Sequence, residues 1–305
     1  MDEHPGQDRD EHVKAMPYRG RFAPSPTGDL HFGSLVAALG SWLRARSQHG
    51  QWLVRIEDLD PPREVAGSAE RILDVLKAFA MVPDEAVVRQ SERHRHYETA
   101  LQLLIDRGFA FPCACSRTQL SATDGLHVRA CAAPRPGVAH AWRARVPDID
   151  VAFDDAVVGH FRQSLRRDVG DFVLKRSDGL HAYQLAVVVD DAAQGISEVV
   201  RGADLLDSTP RQIWLQRVLG LPTPGYLHLP LVLDESGRKL GKSHASVPIV
   251  AGDPLPALRA ALRFLGQDHH PGCSDADALL QRAVASFSVR DIPVSVLSRI
   301  GERSD

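Results

Sequence analysis

An α/β fold built on a parallel sheet is the architecture this sequence predicts, and three observations carry the expectation. The chain opens as strand, loop, helix and strand, with YRGRFAP, SLVAALGSWLRARSQHG and QWLVRIED in that order. Apolar runs and helix-period segments then alternate rather than falling into blocks. Neither an internal repeat nor a low-complexity segment interrupts them.

Taken in order, residues 1–17 (MDEHPGQDRDEHVKAM and Pro17) read as a disordered, acidic-leaning tail without the apolar centre of a signal peptide. Residues 18–109 form the first half of a Rossmann-like unit. Its first helix is ended by Gly50, and helices at GSAERILDVLKAFA and ERHRHYETALQLLIDRG follow, the second closed by Gly108 as a C-terminal cap. Residues 110–182 change character to short strands with turn residues (HAWRARVP, DIDVAFDDAVVGHFRQ, DFVLKRSDG), the pattern of an inserted, mostly β module. The second half, residues 183–250, is expected to resume at YQLAVVVDDA, a continuous apolar run suited to a central parallel strand. A helix at TPRQIWLQRVLG and a strand at YLHLPLVLD complete it, and residues 251–305 read as a helical tail.

At 305 residues the chain is long enough for two or three units with a sizeable core. A formal net charge of −3 supplies no global basic field, so a polyanionic partner has to be met by local patches. No run approaches the ~18–20 apolar residues of a membrane span, and the expectation is a cytoplasmic, monomeric protein with no membrane association. In that compartment Cys113, Cys115, Cys131 and Cys273 point to thiols or metal ligands rather than disulfides.

Two loops carry the chemistry. RFAPSPTGDLHFGS joins the first strand to the first helix, where free backbone N–H groups and the helix dipole suit a phosphate. Gly28 and Gly33 allow close approach, and His31 stands at the helix mouth, placed to donate to a phosphate oxygen. DESGRKLGKSHAS follows the strand YLHLPLVLD and carries Lys239 and Lys242, two ammonium groups able to neutralise a triphosphate and a leaving pyrophosphate. A third constellation lies in CACSRTQLSATDGLHVRAC. Cys113, Cys115 and Cys131 are soft ligands, and His127, four residues before Cys131, shares one face of a helical turn with it if that stretch is helical. A Cys₃His set fills a tetrahedral structural zinc site.

HFGS resembles the HIGH signature and KLGKS the KMSKS signature of class I aminoacyl-tRNA synthetases, in the right order. RFAPSPTGDLHFGS, VRIEDLDPPR, YQLAVVVDDAAQGISEVVRGADLLDSTPRQ and KLGKS together are similar to the blocks of the glutamyl/glutaminyl branch and cover most of residues 19–243. The short segment after Ser243 leaves no room for the anticodon-binding region of the full glutamyl enzymes. The chain therefore resembles the truncated paralogues, the glutamyl-Q tRNA(Asp) synthetases. That resemblance implies activation of L-glutamate by ATP with Mg²⁺, without tRNA, and its transfer to queuosine in the anticodon loop of tRNA(Asp).

The resemblance also implies roles. Arg21, the loop through Ala23 and Ser25, Glu57, Tyr183 and Arg201 would form the glutamate pocket; Gly28, His31, Gly33, Lys239 and Lys242 would bind ATP; His31, Lys242 and Lys239 would stabilise the transferring phosphoryl group. The chemistry agrees with these roles: two carboxylates call for arginine forks and one ammonium for Glu57, with Tyr183 as a hydrogen-bonding wall. Either Arg21 or Arg201 could take the side-chain carboxylate. His127 stands where the paralogues commonly carry Tyr in a zinc-binding Y-x-x-x-C. The sequence departs from the two signatures at Ser34, in place of the second His of HIGH, and at Gly241, in place of the first Ser of KMSKS. Two other readings fit less of the sequence: a short synthetase charging a tRNA 3′ end, and a nucleotide-binding regulator that has lost catalysis.

Overall fold

A computed structural model describes residues 17–121, 126, 127, 131, 134, 135, 137–232, 249 and 251–294. Most of the N-terminal tail and the KLGKS loop, with Lys239, Gly241 and Lys242, lie outside the described residues.

Strands β1 (Arg19–Phe22), β2 (Gln51–Ile56) and β3 (Val88–Arg89) form a parallel sheet, with Arg19 opposite Gln51 and Arg55 opposite Val88. Strand β9 (Glu198–Gly202) lies alongside β1, and Ser197 N donates to Arg19 O at 2.9 Å. Strand β10 (Gly225–Leu229) pairs parallel with β9 in the next sheet, which continues through the hairpin β6 (Asp150–Asp155) and β7 (Gly159–Ser164). A separate antiparallel sheet joins β4 (Ala110–Cys113), β5 (Ala141–Ala144) and β8 (Val173–Lys175), and the short helix α4 (Arg117–Ser121) follows β4. The described strands between residues 110 and 182 thus fall in two places: β4, β5 and β8 form their own sheet, and the β6–β7 hairpin adds to the sheet that carries β9 and β10.

Helix α1 (Phe32–Ser47) is apolar on most of its surface, with Leu35, Val36, Leu39, Trp42 and Leu43 buried, so it runs through the core rather than along the surface. Gly40 lets it approach β10 closely: a Cβ there would lie 2.6 Å from Leu229 Cδ1. The amphipathic α2 (Ser68–Ala78) and the tail helices α7 (Pro254–Phe264) and α8 (Ala276–Ser286) share the first core with α1. A second core gathers Tyr97, Leu101 and Leu104 of α3 (His94–Asp106) with Trp214 and Leu215 of α6 (Thr209–Leu219). The chain turns left-handed at Gly108 (φ 74°), as its place after α3 requires. Among the described residues no helix is long and apolar enough to cross a membrane.

The strand expected at residues 183–192 is not found. YQLAVVVDDA is not a strand but helix α5 (Tyr183–Ala193). A fully buried helix and a fully buried strand both read as continuous apolar runs, and the eleven-residue length here fits the helix. Leu185, Ala186, Val187 and Val188 are buried. The helical form also places Asp190 and Asp191 side by side on buried turns, where a cluster of cationic and hydroxyl donors meets them.

Candidate active site

The loops leaving the C-terminal ends of β1, β2, β9 and β10 enclose a cleft of about 610 Å³, the position at which open parallel sheets take ligands. Arg21, Ala23, Ser25, Gly28, His31 and Gly33 line one side, and Glu57, Tyr183, Arg201 and Asp204 line the other. The sequence separates these residues by up to about 180 positions; the topology brings them to one opening.

Each has a local reason for its place. Gly28 adopts φ 144°, a conformation open to glycine, in the turn that leads into α1. His31 caps α1: its Nδ1 accepts from Ser34 N at 3.3 Å, and Nε2 lies 3.0 Å from Ser34 Oγ. The serine that replaces the second signature histidine therefore contacts the first one and fixes its ring. Arg55 and Glu57, two apart on extended backbone, project to the same side. Tyr183 begins α5, and its hydroxyl accepts from Arg201 Nη1 at 3.3 Å.

The floor is a buried ionic network that sequence reasoning missed. Asp191 accepts from Arg21 Nε at 3.0 Å and Arg21 Nη2 at 3.3 Å, and from Arg55 Nη2 at 2.8 Å. Arg55, fully buried, also donates to Glu57 at 3.3 Å and to Gln194 at 2.7 Å. Asp190 takes Gln90, Tyr97 and Arg93 at 2.8, 2.7 and 2.5 Å. Burial would raise the Asp191 carboxyl, but the charges of Arg21 and Arg55 outweigh it and hold it below the usual carboxylate range. For Glu57 burial wins over the same two arginines, helped by Asp191 and Asp190, and its carboxyl is raised. Burial likewise raises the Tyr183 phenol. The adjacent pair of aspartates at the end of an apolar run was the one available signal of this network.

The two arginines expected to meet carboxylates are held differently. Arg21 is paired with Asp191. Arg201, 6% exposed, donates to His228 Nε2 at 3.1 Å, Thr209 Oγ1 at 2.8 Å, Leu205 O at 3.3 Å and the Tyr183 hydroxyl, all neutral acceptors.

The second constellation lies in the antiparallel region. One ligand atom from each of Cys113, Cys115, His127 and Cys131 falls within 4.8 Å of the others. Neither His127 nor Cys131 is helical, so they do not share the helical face the spacing suggested. The His127 ring donates from Nδ1 to Asp171 Oδ2 at 2.9 Å, which leaves Nε2 facing Cys115 Sγ at 3.8 Å. Without a cation the three thiols cannot ionise together. Burial and the neighbouring Cys113 push Cys131 up to about 12. Three sulfurs and an oriented imidazole nitrogen suit a tetrahedral ion such as Zn²⁺.

Comparisons with known proteins agree with this geometry. The catalytic-domain model of class I tRNA synthetases (E and Q) matches residues 18–136 and 131–267. A protein named glutamyl-Q tRNA(Asp) synthetase from Xanthomonas campestris pv. campestris is 56% identical over 284 residues, 92% of this chain and 95% of that protein. One of the same name from Ectopseudomonas mendocina is 55% identical over 251 residues, 82% of this chain and 85% of that protein. Among solved structures, glutamate-tRNA synthetase from Elizabethkingia anophelis superposes with a TM-score of 0.76 at 25% identity, covering 91% of this chain and 67% of that one.

Proposed function

The chain belongs to the class I aminoacyl-tRNA synthetases of the glutamyl and glutaminyl type, and from that membership we propose that it activates L-glutamate with ATP and transfers it to queuosine in the anticodon loop of tRNA(Asp). The observation that carries the reading is the meeting of Arg21, Glu57, Tyr183 and Arg201 with the His31-capped helix in one cleft. The relatives that bear the glutamyl-Q name, matched over 95% and 85% of their own length, support the queuosine acceptor over a tRNA 3′ end.

In this reading Glu57 receives the α-ammonium of glutamate. Arg201, whose donors meet neutral acceptors among the described residues, takes the side-chain carboxylate, with Tyr183 beside it. Arg21, already neutralised by Asp191, lends its remaining N–H groups to the same anion or to the α-carboxylate. Ala23 and Ser25 shape the wall on the β1 side. ATP, as its Mg²⁺ complex, lies with its phosphates toward Gly28, Gly33 and the first turn of α1.

The substrate α-carboxylate is already anionic and attacks the α-phosphorus in line, releasing pyrophosphate; no protein base is needed. Ser34 N, donating to Nδ1, leaves the His31 ring proton on Nε2, and His31 turns that proton from Ser34 Oγ to the charge that develops on the phosphoryl oxygens. Lys239 and Lys242 of the KLGKS loop are assigned to the same charge from the sequence alone. The resulting acyl phosphate is then opened by a hydroxyl of the queuosine cis-diol, which forms an ester and releases AMP.

Cys113, Cys115, His127 and Cys131 would hold one zinc ion with a structural part: four protein ligands leave no open position for chemistry, and the ion would tie together a loop-rich region. The activation half of the proposal is tested by ATP–pyrophosphate exchange in the absence of tRNA. Exchange that depends on glutamate and not on glutamine supports it; exchange with neither, from folded protein, overturns it.

A further inference from the structure

Behind Arg201, away from the cleft, a buried relay runs back to the β6–β7 hairpin. Arg201 Nε donates to His228 Nε2 at 3.1 Å, and His228 Nδ1 lies 2.6 Å from Asp155 Oδ2. Arg201, His228 and Asp155 are 6%, 0% and 5% exposed. Asp155 is itself fixed, since its Oδ1 accepts from Val157 N, Val158 N and His228 N at 3.0, 2.9 and 3.2 Å.

The chemistry of the partners dictates the imidazole tautomer. An arginine Nε–H can only donate, so the nitrogen facing it must be an acceptor. The ring proton then resides on Nδ1, where the Asp155 carboxylate accepts it. Thr209 Oγ1, 3.3 Å from His228 Nε2, also accepts from Arg201 Nη2, so it locks the other edge of the guanidinium.

We propose that Asp155 and His228 are positioning residues for glutamate recognition, with Asp155 holding His228 as the Nδ1–H tautomer so that Nε2 aims the Arg201 guanidinium at the substrate's side-chain carboxylate. This rests on the reading of Arg201 as a glutamate-binding residue. Among the described residues no carboxylate touches the Arg201 guanidinium, so the arrangement gives it a firm seat and keeps its positive charge for the ligand. A carboxylate in the place of His228 would fix the side chain equally well but compete with the substrate for its charge.

The isosteric variant Asp155→Asn tests the relay. Its Oδ1 can keep the three backbone N–H groups, but an amide now faces His228 Nδ1 and donates to it. The imidazole must then carry its proton on Nε2, which sets two donors against each other at Arg201. Nitrogen-detected NMR of the imidazoles is expected to show His228 protonated on Nδ1 in the wild type and on Nε2 in Asp155→Asn. In ATP–pyrophosphate exchange the KM for glutamate is expected to rise on the order of 10-fold or more, with kcat and the KM for ATP changed much less. A second pair guards against misfolding: His228→Gln can present an acceptor oxygen near the Nε2 position, whereas the shorter His228→Asn cannot reach it. Glutamine at 228 is therefore expected to keep a lower glutamate KM than asparagine. A wild-type His228 protonated on Nε2, a flipped tautomer with unchanged glutamate KM, or equal KM values for the two position-228 variants would each overturn the relay. Wild-type protein with the Nδ1–H tautomer but no glutamate-dependent exchange would instead overturn the assignment of Arg201, and with it the purpose of the relay.

Discussion

Arg21 and Asp191 meet at the base of the cleft, the guanidinium donating through Nε and Nη2 to the two carboxylate oxygens at 3.0 and 3.3 Å. One residue comes from β1 and the other from α5, and Arg55 of β2 joins them at 2.8 Å. The pair thus ties both halves of the parallel unit together directly beneath the proposed glutamate site. Asp191→Ala would leave two buried guanidinium groups without their shared anion, a loss of about 3–5 kcal/mol. Glu85→Ala, which removes an exposed partner of Arg19, is expected to cost about 0.2–1 kcal/mol. Urea unfolding of the two variants checks the contrast; equal midpoints would show that the buried network contributes no more than a surface pair.

The same aspartate makes a pH dependence. Its folded-state carboxyl is depressed, so its contribution to stability is present above the unfolded value of about 3.9 and is lost as pH falls through the lower folded value. Glu57 moves the opposite way: its carboxyl is raised, so its charge is lost at a higher pH than in a free side chain. Because the proposed ammonium site needs that charge, the KM for glutamate is expected to increase as pH is lowered from neutral, while the fold persists. In Glu57→Gln the KM should start high and stay nearly flat over the same range. A wild-type KM that falls on acidification would remove Glu57 from the ammonium site.

His31 is expected to act through the developing phosphoryl charge and not through glutamate binding. His31→Ala should lower exchange by ~10²–10³ with little change in the KM for glutamate. Lys242→Ala should do the same, on the strength of the KLGKS resemblance. Ser34→Ala, which removes one contact to the His31 ring and leaves the ring in place, is expected to cost far less. A His31→Ala enzyme with wild-type exchange would contradict the assignment.

The strand-to-helix loop of the candidate site is legible because its signals are local. Gly28, His31 and Gly33 sit within six residues of one another, and a glycine-bearing turn between a strand and a helix has a physical meaning that needs no tertiary knowledge. Gly108 marked the end of α3 for the same reason. The apolar stretch from Leu185 to Val188 was misread because burial on all sides erases the periodicity that separates a strand from a helix. The Arg21–Asp191, Arg55–Asp191 and Asp155–His228 contacts span 170, 136 and 73 positions, and no spacing rule reaches across such distances. The hairpin that supplies Asp155 reads in sequence as part of an inserted, mostly β module, and the strand pairing of β6 with β10 is what brings it beside the strand that leads to the cleft.

For the cysteine cluster, purified protein is expected to carry one zinc per chain after extensive dialysis, and chelation is expected to lower Tm without abolishing the parallel-sheet unit. Asp171→Asn keeps all four ligands but alters the orientation of His127, and should weaken zinc affinity ~10–100-fold. Cys131→Ala protein that retains a full equivalent of zinc and its thermal stability would show that these residues are not the site.

The acceptor distinguishes the proposed reaction from the charging of a tRNA 3′ end. Single-stranded loops offer bases that can be splayed out to a protein, and queuosine presents there a cis-diol resembling the terminal ribose of a tRNA. The direct measurement is transfer of labelled glutamate to tRNA(Asp) isolated from queuosine-producing cells and from cells unable to make queuosine, followed by nuclease cleavage. The expected result is label on the queuosine-containing tRNA only, retained in the anticodon fragment; label on the 3′-terminal adenosine, or equal labelling of queuosine-free tRNA, would contradict it.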